Sequence, residues 1–199
     1  AMEQCLQEHG IGFLFAPAMH PAMKHVMPVR RQLGIRTVFN MLGPLTNPAA
    51  ATGQVLGVYA AGLTEVFAEV LRRLNSRRAL VVYGEPGLDE ISPCGRTRIS
   101  ELRDGHVRTY EIDADIVLGE SFPIADLAGG TPEENAGILR GVLSGEILGG
   151  ARAAVLLNAA AAIVAGEGAD TLDEGLQKAR ASIDSGAALG KLEILVQES

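Results

Sequence analysis

The sequence predicts an α/β protein: a mostly parallel sheet flanked by helices. Three observations lead there. Residues 54–83 read as strand, helix, strand at βαβ lengths. The second strand of that unit, Ala79–Tyr83, is a continuous apolar run of the kind buried on both faces of a sheet. The composition, 47% hydrophobic and 21% charged over 199 residues, is that of a globular chain able to bury a sizeable core.

The elements follow in order. Residues 2–9 read as the end of a helix closed by Gly10, and Ile11–Phe15 as an apolar run of strand length. His20-Pro21 opens a helical stretch in which Ala22, Val26, Val29 and Leu33 share one face, with a kink expected at Pro28 and a stop at Gly34. Thr37–Leu42 is a second short helix before Gly43-Pro44 and Asn47-Pro48 break the chain. Gln54–Ala60 is a strand, and Thr64–Leu74 an amphipathic helix with Thr64 as its expected N-cap. After Ala79–Tyr83, the segments Arg98–Leu102 and Val107–Ile112 flank Arg103-Asp104-Gly105-His106, whose Asp-Gly pair predicts a hairpin. From Thr131 onward the pattern is helical: Pro132–Ser144, Gly150–Ala165, Leu172–Ser185 and Ala187 to about Val196.

Composition excludes several classes. Aromatics are 4% with no Trp, which argues against a stacking platform for single-stranded nucleic acid. Cys5 and Cys94 form neither a disulfide framework nor a zinc pattern, so a reducing, cytoplasmic setting is expected. Glu3 and Glu8 stand where a signal peptide needs cations, and the apolar window Ala153–Ala165 is shorter than the ~20 residues of a spanning helix.

Charge is unevenly placed. The net charge is −7, yet His9–Thr64 holds no Asp or Glu while carrying Lys24, Arg30, Arg31 and Arg36. That segment is +4 and the remainder −11, so it reads as a local electropositive site for a small anion. Arg30 and Arg36 can recognise a carboxylate or phosphate bidentately.

Asp89-Glu90 is the second constellation. It lies in a Gly/Pro-rich loop just beyond the carboxyl end of the apolar strand, where ligand groups collect in parallel α/β sheets. Two adjacent carboxylates suit Mg²⁺, which takes one or two carboxylates together with substrate phosphates and waters; a pair of solvated loop acids is the alternative. Ala128-Gly129-Gly130-Thr131 resembles a phosphate-cradling loop, but Thr131 and Glu134 form a capping box and Glu133 adds charge, so it reads as structural. Asn158 reads as a buried, hydrogen-bonded group in an apolar helix, and Gly149-Gly150 as a packing or turn feature.

Longer motifs add a resemblance. His20-Pro21-Ala22-Met23-Lys24, Pro28-Val29-Arg30-Arg31, Arg36-Thr37 and, above all, Phe39-Asn40 with Leu42-Gly43-Pro44-Leu45-Thr46-Asn47-Pro48 resemble the anthranilate phosphoribosyltransferases. Gly87-Leu88-Asp89-Glu90 stands where that family has its metal-binding acidic pair, and the likeness runs over residues 4–199. It implies a catalytic domain of the nucleoside phosphorylase/phosphoribosyltransferase type. The implied reaction transfers the phosphoribosyl group of phosphoribosyl pyrophosphate to anthranilate, releasing pyrophosphate, in tryptophan biosynthesis. Arg30 would hold the anthranilate carboxylate, His20 and Pro44 would line its entry route, and Asp89 and Glu90 would bind Mg²⁺.

The resemblance also implies an organisation. Residues 1–19 and 51–199 would form part of the α/β body. Residues 20–50 would be a helical excursion belonging with a small helical domain, most of which has no counterpart here. The family's glycine-rich diphosphate loop, its Lys-His-Gly-Asn segment and its metal-binding serine are not among these 199 residues. The chain is therefore expected to be the carboxy-terminal portion of such an enzyme, inactive alone, with the whole protein a homodimer through the helical domain. Two other readings stand beside this one. A pyrimidine-nucleoside phosphorylase-like enzyme would use phosphate in place of pyrophosphate. A nucleic-acid-binding homologue would use the basic segment, and the −11 remainder disfavours it.

Overall fold

The structure is a computed structural model that describes residues 2–14, 45, 47 and 49–198. The chain divides into two compact units, one comprising residues up to Ala51 together with Gly190–Ser199, the other Thr52–Leu189. In the first unit, helix α1 spans Met2–His9 and ends at Gly10, whose φ of 70° suits a residue without a Cβ. The Lys191 ammonium donates to the His9 carbonyl. Ile11–Leu14, expected to begin a strand, carries no regular structure. An apolar run becomes a strand only by finding a ladder partner, and no described strand pairs with this one.

The second unit holds a four-stranded sheet in the order β1-β2-β3-β4, formed by Gly53–Gly57, Arg78–Gly84, Arg96–Arg103 and His106–Asp113. β1 and β2 are parallel and joined through helix α2 (Leu63–Arg73), the βαβ unit read from the sequence. β2–β3 and β3–β4 are antiparallel, so among the described strands the sheet is mixed. The reason is local: the loop from β2 to β3 returns at the same end of the sheet, and β3–β4 is a hairpin. Its two-residue turn, Asp104-Gly105, has φ of 51° and 76°, as a type I′ turn requires.

Both faces of β2 are covered. Leu80 and Val82 pack with Ile99 of β3 against Leu157, Ala161 and Val164 of helix α5 (Gly149–Ala165). Ala79 and Val81 face the other way, toward the side where α2 packs. Thr64 does not cap α2, as the sequence suggested; Gly62 occupies that position without a side-chain cap. Thr64 is fully buried, and its hydroxyl donates to the Ala61 carbonyl at 3.0 Å. It therefore accepts from Ser100 Oγ at 2.9 Å, and Ser100 accepts in turn from Thr109 Oγ1 at 2.9 Å. The hydroxyl chain ties α2 to β3 and β4.

The remaining elements are helical. α3 (Ala114–Leu118) and a 3₁₀ turn at Ile124–Leu127 lead to α4 (Pro132–Ser144), α5, α6 (Leu172–Asp184) and α7 (Ala187–Gln197). α5 and α6 pack through Leu156 and Ala160 against Leu176, Ala179 and Ile183. The far end of α5 is held to the sheet by Arg78, which is buried and donates to the Val164 carbonyl at 3.1 Å. Nearby, the hydrogen bond from Arg77 holds the Glu167 carboxyl below its ordinary value. No single helix among the described residues is long and apolar enough to cross a membrane.

Candidate functional site

Asp89 and Glu90 sit in the loop between β2 and β3, beyond the carboxyl ends of the parallel strands β1 and β2. Both are exposed, and neither pairs with a described cation. Both carboxylates are therefore open to an added cation.

The loop lies where two glycines permit it. A Cβ on Gly57, the last residue of β1, would stand 1.6 Å from the Asp89 carbonyl oxygen. One on Gly84, the last residue of β2, would stand 2.5 Å from the Glu90 carbonyl oxygen and 2.8 Å from Ser92 Cβ. The acidic segment thus rests directly on the ends of two strands, at distances no side chain could share. Hydrogen bonds complete the hold. Gly84 N–H donates to the Leu88 carbonyl at 2.8 Å, and Leu88 N–H returns one at 2.7 Å. Ser92 N–H donates to Thr97 Oγ1 at 2.9 Å, and Ser92 Oγ donates to the Glu85 carbonyl. The Ile91 side chain, 1% exposed, anchors the far side of the pair in the core.

Asn158 of α5 meets the same loop. Its Oδ1 accepts from Ile91 N–H at 2.9 Å, and its Nδ2 donates to the Ile91 carbonyl at 3.0 Å and to the Ala154 carbonyl at 2.9 Å. Asn158 is hydrogen-bonded, as the sequence predicted, but half-buried where burial was expected, and nothing in the sequence linked it to the acidic pair 68 residues away. The glycines were equally silent until placed. Gly at strand ends signals close approach of another backbone, without saying which one.

Beside the loop is a cleft of about 320 Å³ lined by Leu88, Glu90, Ile91, Ile138, Val142 and Val155, among others. Its glycine turn is structural, as read from the sequence. Thr131 N–H is taken by Glu134 Oε2 at 2.7 Å, Gly130 N–H by Asn135 Oδ1 at 2.9 Å, and Glu134 N–H by Thr131 Oγ1 at 3.3 Å. Donors that a phosphate would need are already used, beside two carboxylates. Gly150 is a packing glycine: a Cβ there would stand 2.5 Å from Asp126 Cβ, while its N–H donates to Asp126 Oδ2 at 3.3 Å.

Among the described residues, no group of three or more His, Cys, Asp or Glu is placed to hold a metal ion. A pair of carboxylates with room for waters and phosphate oxygens fits Mg²⁺, which seldom has an all-protein cage. The other residues singled out in the sequence, His20, Arg30 and Pro44, lie outside the described residues.

A family model described as glycosyl transferase family, a/b domain, matches residues 1–189. The chain belongs to that family. Among its relatives, anthranilate phosphoribosyltransferase from Desulfosudis oleivorans is 54% identical over 195 residues, covering 98% of this chain and 58% of the relative. The protein of the same name from Syntrophobacter fumaroxidans is 53% identical, again over 98% of this chain and 58% of the relative. The crystal structure of anthranilate phosphoribosyltransferase from Thermus thermophilus superposes with a TM-score of 0.90 at 44% identity, over 98% of this chain and 58% of that one. The Saccharomyces cerevisiae enzyme in complex with PRPP and Mg gives 0.80 at 34% identity, over 89% of this chain and 51% of that one. The fold of this family member is therefore that of the catalytic domain in those structures. The chain spans a little over half the length of the relatives it matches.

Proposed function

We propose that the chain serves in an anthranilate phosphoribosyltransferase: it carries part of the site that transfers phosphoribosyl from phosphoribosyl pyrophosphate to anthranilate, giving N-(5-phosphoribosyl)anthranilate and pyrophosphate in tryptophan biosynthesis. The observation that carries this reading is the exposed Asp89–Glu90 pair, seated on the carboxyl ends of β1 and β2 in a chain so similar to proteins of that name. Asp89 and Glu90 would hold Mg²⁺ together with the diphosphate, and the bound ion would supply charge neutralisation for the pyrophosphate leaving group. Arg30 holds the anthranilate carboxylate in a bidentate grip, and His20 and Pro44 line the route by which anthranilate enters. Catalysis then rests on positioning and charge neutralisation, with no covalent intermediate on the protein.

The same reading assigns residues 20–50 to a helical excursion and residues 1–19 and 51–199 to the α/β body. It places the enzyme in the cytoplasm, as a homodimer in its whole form, with no nucleic acid or membrane as partner.

Two measurements test it. Mn²⁺, a spectroscopic stand-in for Mg²⁺, is titrated into the chain with inorganic pyrophosphate, and free Mn²⁺ is followed by electron paramagnetic resonance. Wild-type protein should retain Mn²⁺ with pyrophosphate and Asp89→Asn/Glu90→Gln should not; equal retention would reject the pair as the cation site. Arg30→Ala should weaken anthranilate binding, followed by anthranilate fluorescence, about tenfold or more, as loss of a charged hydrogen-bond partner implies. Unchanged affinity would reject that role for Arg30, and preference for a pyrimidine nucleoside over anthranilate would favour the phosphorylase-like alternative.

A further inference from the structure

We infer that Asn158 is a positioning residue for the acidic pair, fixing the Ile91 backbone so that the Asp89 and Glu90 carboxylates stay available to one divalent cation. This rests on the reading of Asp89–Glu90 as the cation-binding pair.

An amide in this helix calls for a reason. The run Ala153–Ala165 supplies α5 with its apolar face, and Leu157 and Ala161 beside Asn158 pack in the sheet core. Asn158 itself is half-buried, with its amide turned to protein partners. Two of its three short hydrogen bonds go to the backbone of one residue, spanning the peptides on either side of it. Ile91 N–H and the Ile91 carbonyl are both engaged by the same side chain, at 2.9 and 3.0 Å. The second Nδ2 hydrogen goes to the Ala154 carbonyl at 2.9 Å. With two carbonyls on one side and an N–H on the other, only one orientation of the amide satisfies all three.

The clamp acts next to Glu90. The Ile91 side chain is buried in the core, so residue 91 is fixed by both its side chain and its backbone. Glu90 leaves that fixed point directly, with Oε2 3.5 Å from Asn158 Nδ2, near the positive end of the amide dipole. On the other side, Asp89 is seated on Gly57. Without the clamp the loop keeps its Gly84–Leu88 and Ser92–Thr97 bonds, so the fold should survive while residues 89–91 loosen. Two flexible carboxylates bind a cation more weakly than two held together, since their ordering must then be supplied on binding.

The test uses the Mn²⁺ and pyrophosphate titration on the 199-residue chain, with amide hydrogen exchange read in parallel. Asn158→Ala is expected to weaken Mn²⁺ retention about tenfold. It should also speed exchange at Ile91 while Leu80 and Val82 keep their protection, a contrast that general destabilisation would not produce. Asn158→Gln, which keeps the amide on a longer arm, should fall between Asn158→Ala and wild type. Wild-type retention in a folded Asn158→Ala would overturn the proposal. So would wild-type retention in Asn158→Gln with Ile91 exchanging freely, which decides the matter if the Ala variant does not fold. Asp89→Asn/Glu90→Gln separates the two claims. If that variant loses Mn²⁺ while the Asn158 variants do not, the positioning role fails alone; if it retains Mn²⁺, the cation site itself fails.

Discussion

Gly57→Ala should unseat the acidic loop and destabilise the domain by about 3 kcal/mol or more, toward the upper end of what overpacking costs. The added methyl would sit 1.6 Å from the Asp89 carbonyl oxygen, an overlap no rotamer can relieve because the methyl is fixed directly to Cα and its partner is backbone. Either β1 bends away from β2 or the loop lifts from the strand ends. The second is easier, since β1 is tied to β2 by ladder bonds over Gly53–Gly57 and the loop is exposed. The expected result is a lowered urea midpoint together with lost Mn²⁺ retention. Wild-type stability and wild-type Mn²⁺ retention together would show that the loop is not seated as described.

Leu80→Ala is expected to cost about 3–4 kcal/mol, the range for removing a fully buried leucine from a core that cannot collapse around the cavity. Leu80 is 0% exposed at the middle of β2, against Leu157, Ala161 and Val164 of α5. Its effect should be of another kind than that of Gly57→Ala. Under conditions where both variants remain folded, Leu80→Ala should still retain Mn²⁺, because it shares the core with Ile91 but leaves every hydrogen bond that holds residues 89–91 in place. Urea unfolding measures the first effect and the Mn²⁺ titration the second. A cost below about 1 kcal/mol would mean that the β2–α5 core is not closely packed. Together the two variants separate holding the domain folded from holding the pair in place.

Much of this architecture was legible residue by residue. Ala79–Tyr83 read as a doubly buried strand because only such a strand can be apolar at every position, and β2 is covered on both faces. Asp104-Gly105 predicted its hairpin because both turn positions need a positive φ. Thr131 and Glu134 predicted a capping box by spacing alone, and both of its hydrogen bonds are present. These signals are local: the residues that decide them are a few positions apart.

Thr64 shows where local reading stops. A threonine ahead of an apolar-periodic stretch is the usual N-cap, yet Thr64 lies inside the first turn with its hydroxyl spent on Ala61 and Ser100. What outweighed the cap was a partner 36 residues away on β3. Ile11–Leu14 makes the same point for strands, since hydrophobicity prepares a segment for a ladder but cannot provide the neighbour.

By itself the sequence determined the class of fold, the helix and turn punctuation, the acidic pair as the candidate cation site, and the likeness on which the proposed reaction rests. Only the tertiary structure decided that Gly57 and Gly84 form the seat of that pair, and that Asn158 holds the backbone beside it. The physical reason is that a close approach of two backbones, or an amide clamped on a distant residue, is a property of two chain segments at once. Each segment alone reads as an ordinary glycine in a strand or an ordinary asparagine in a helix.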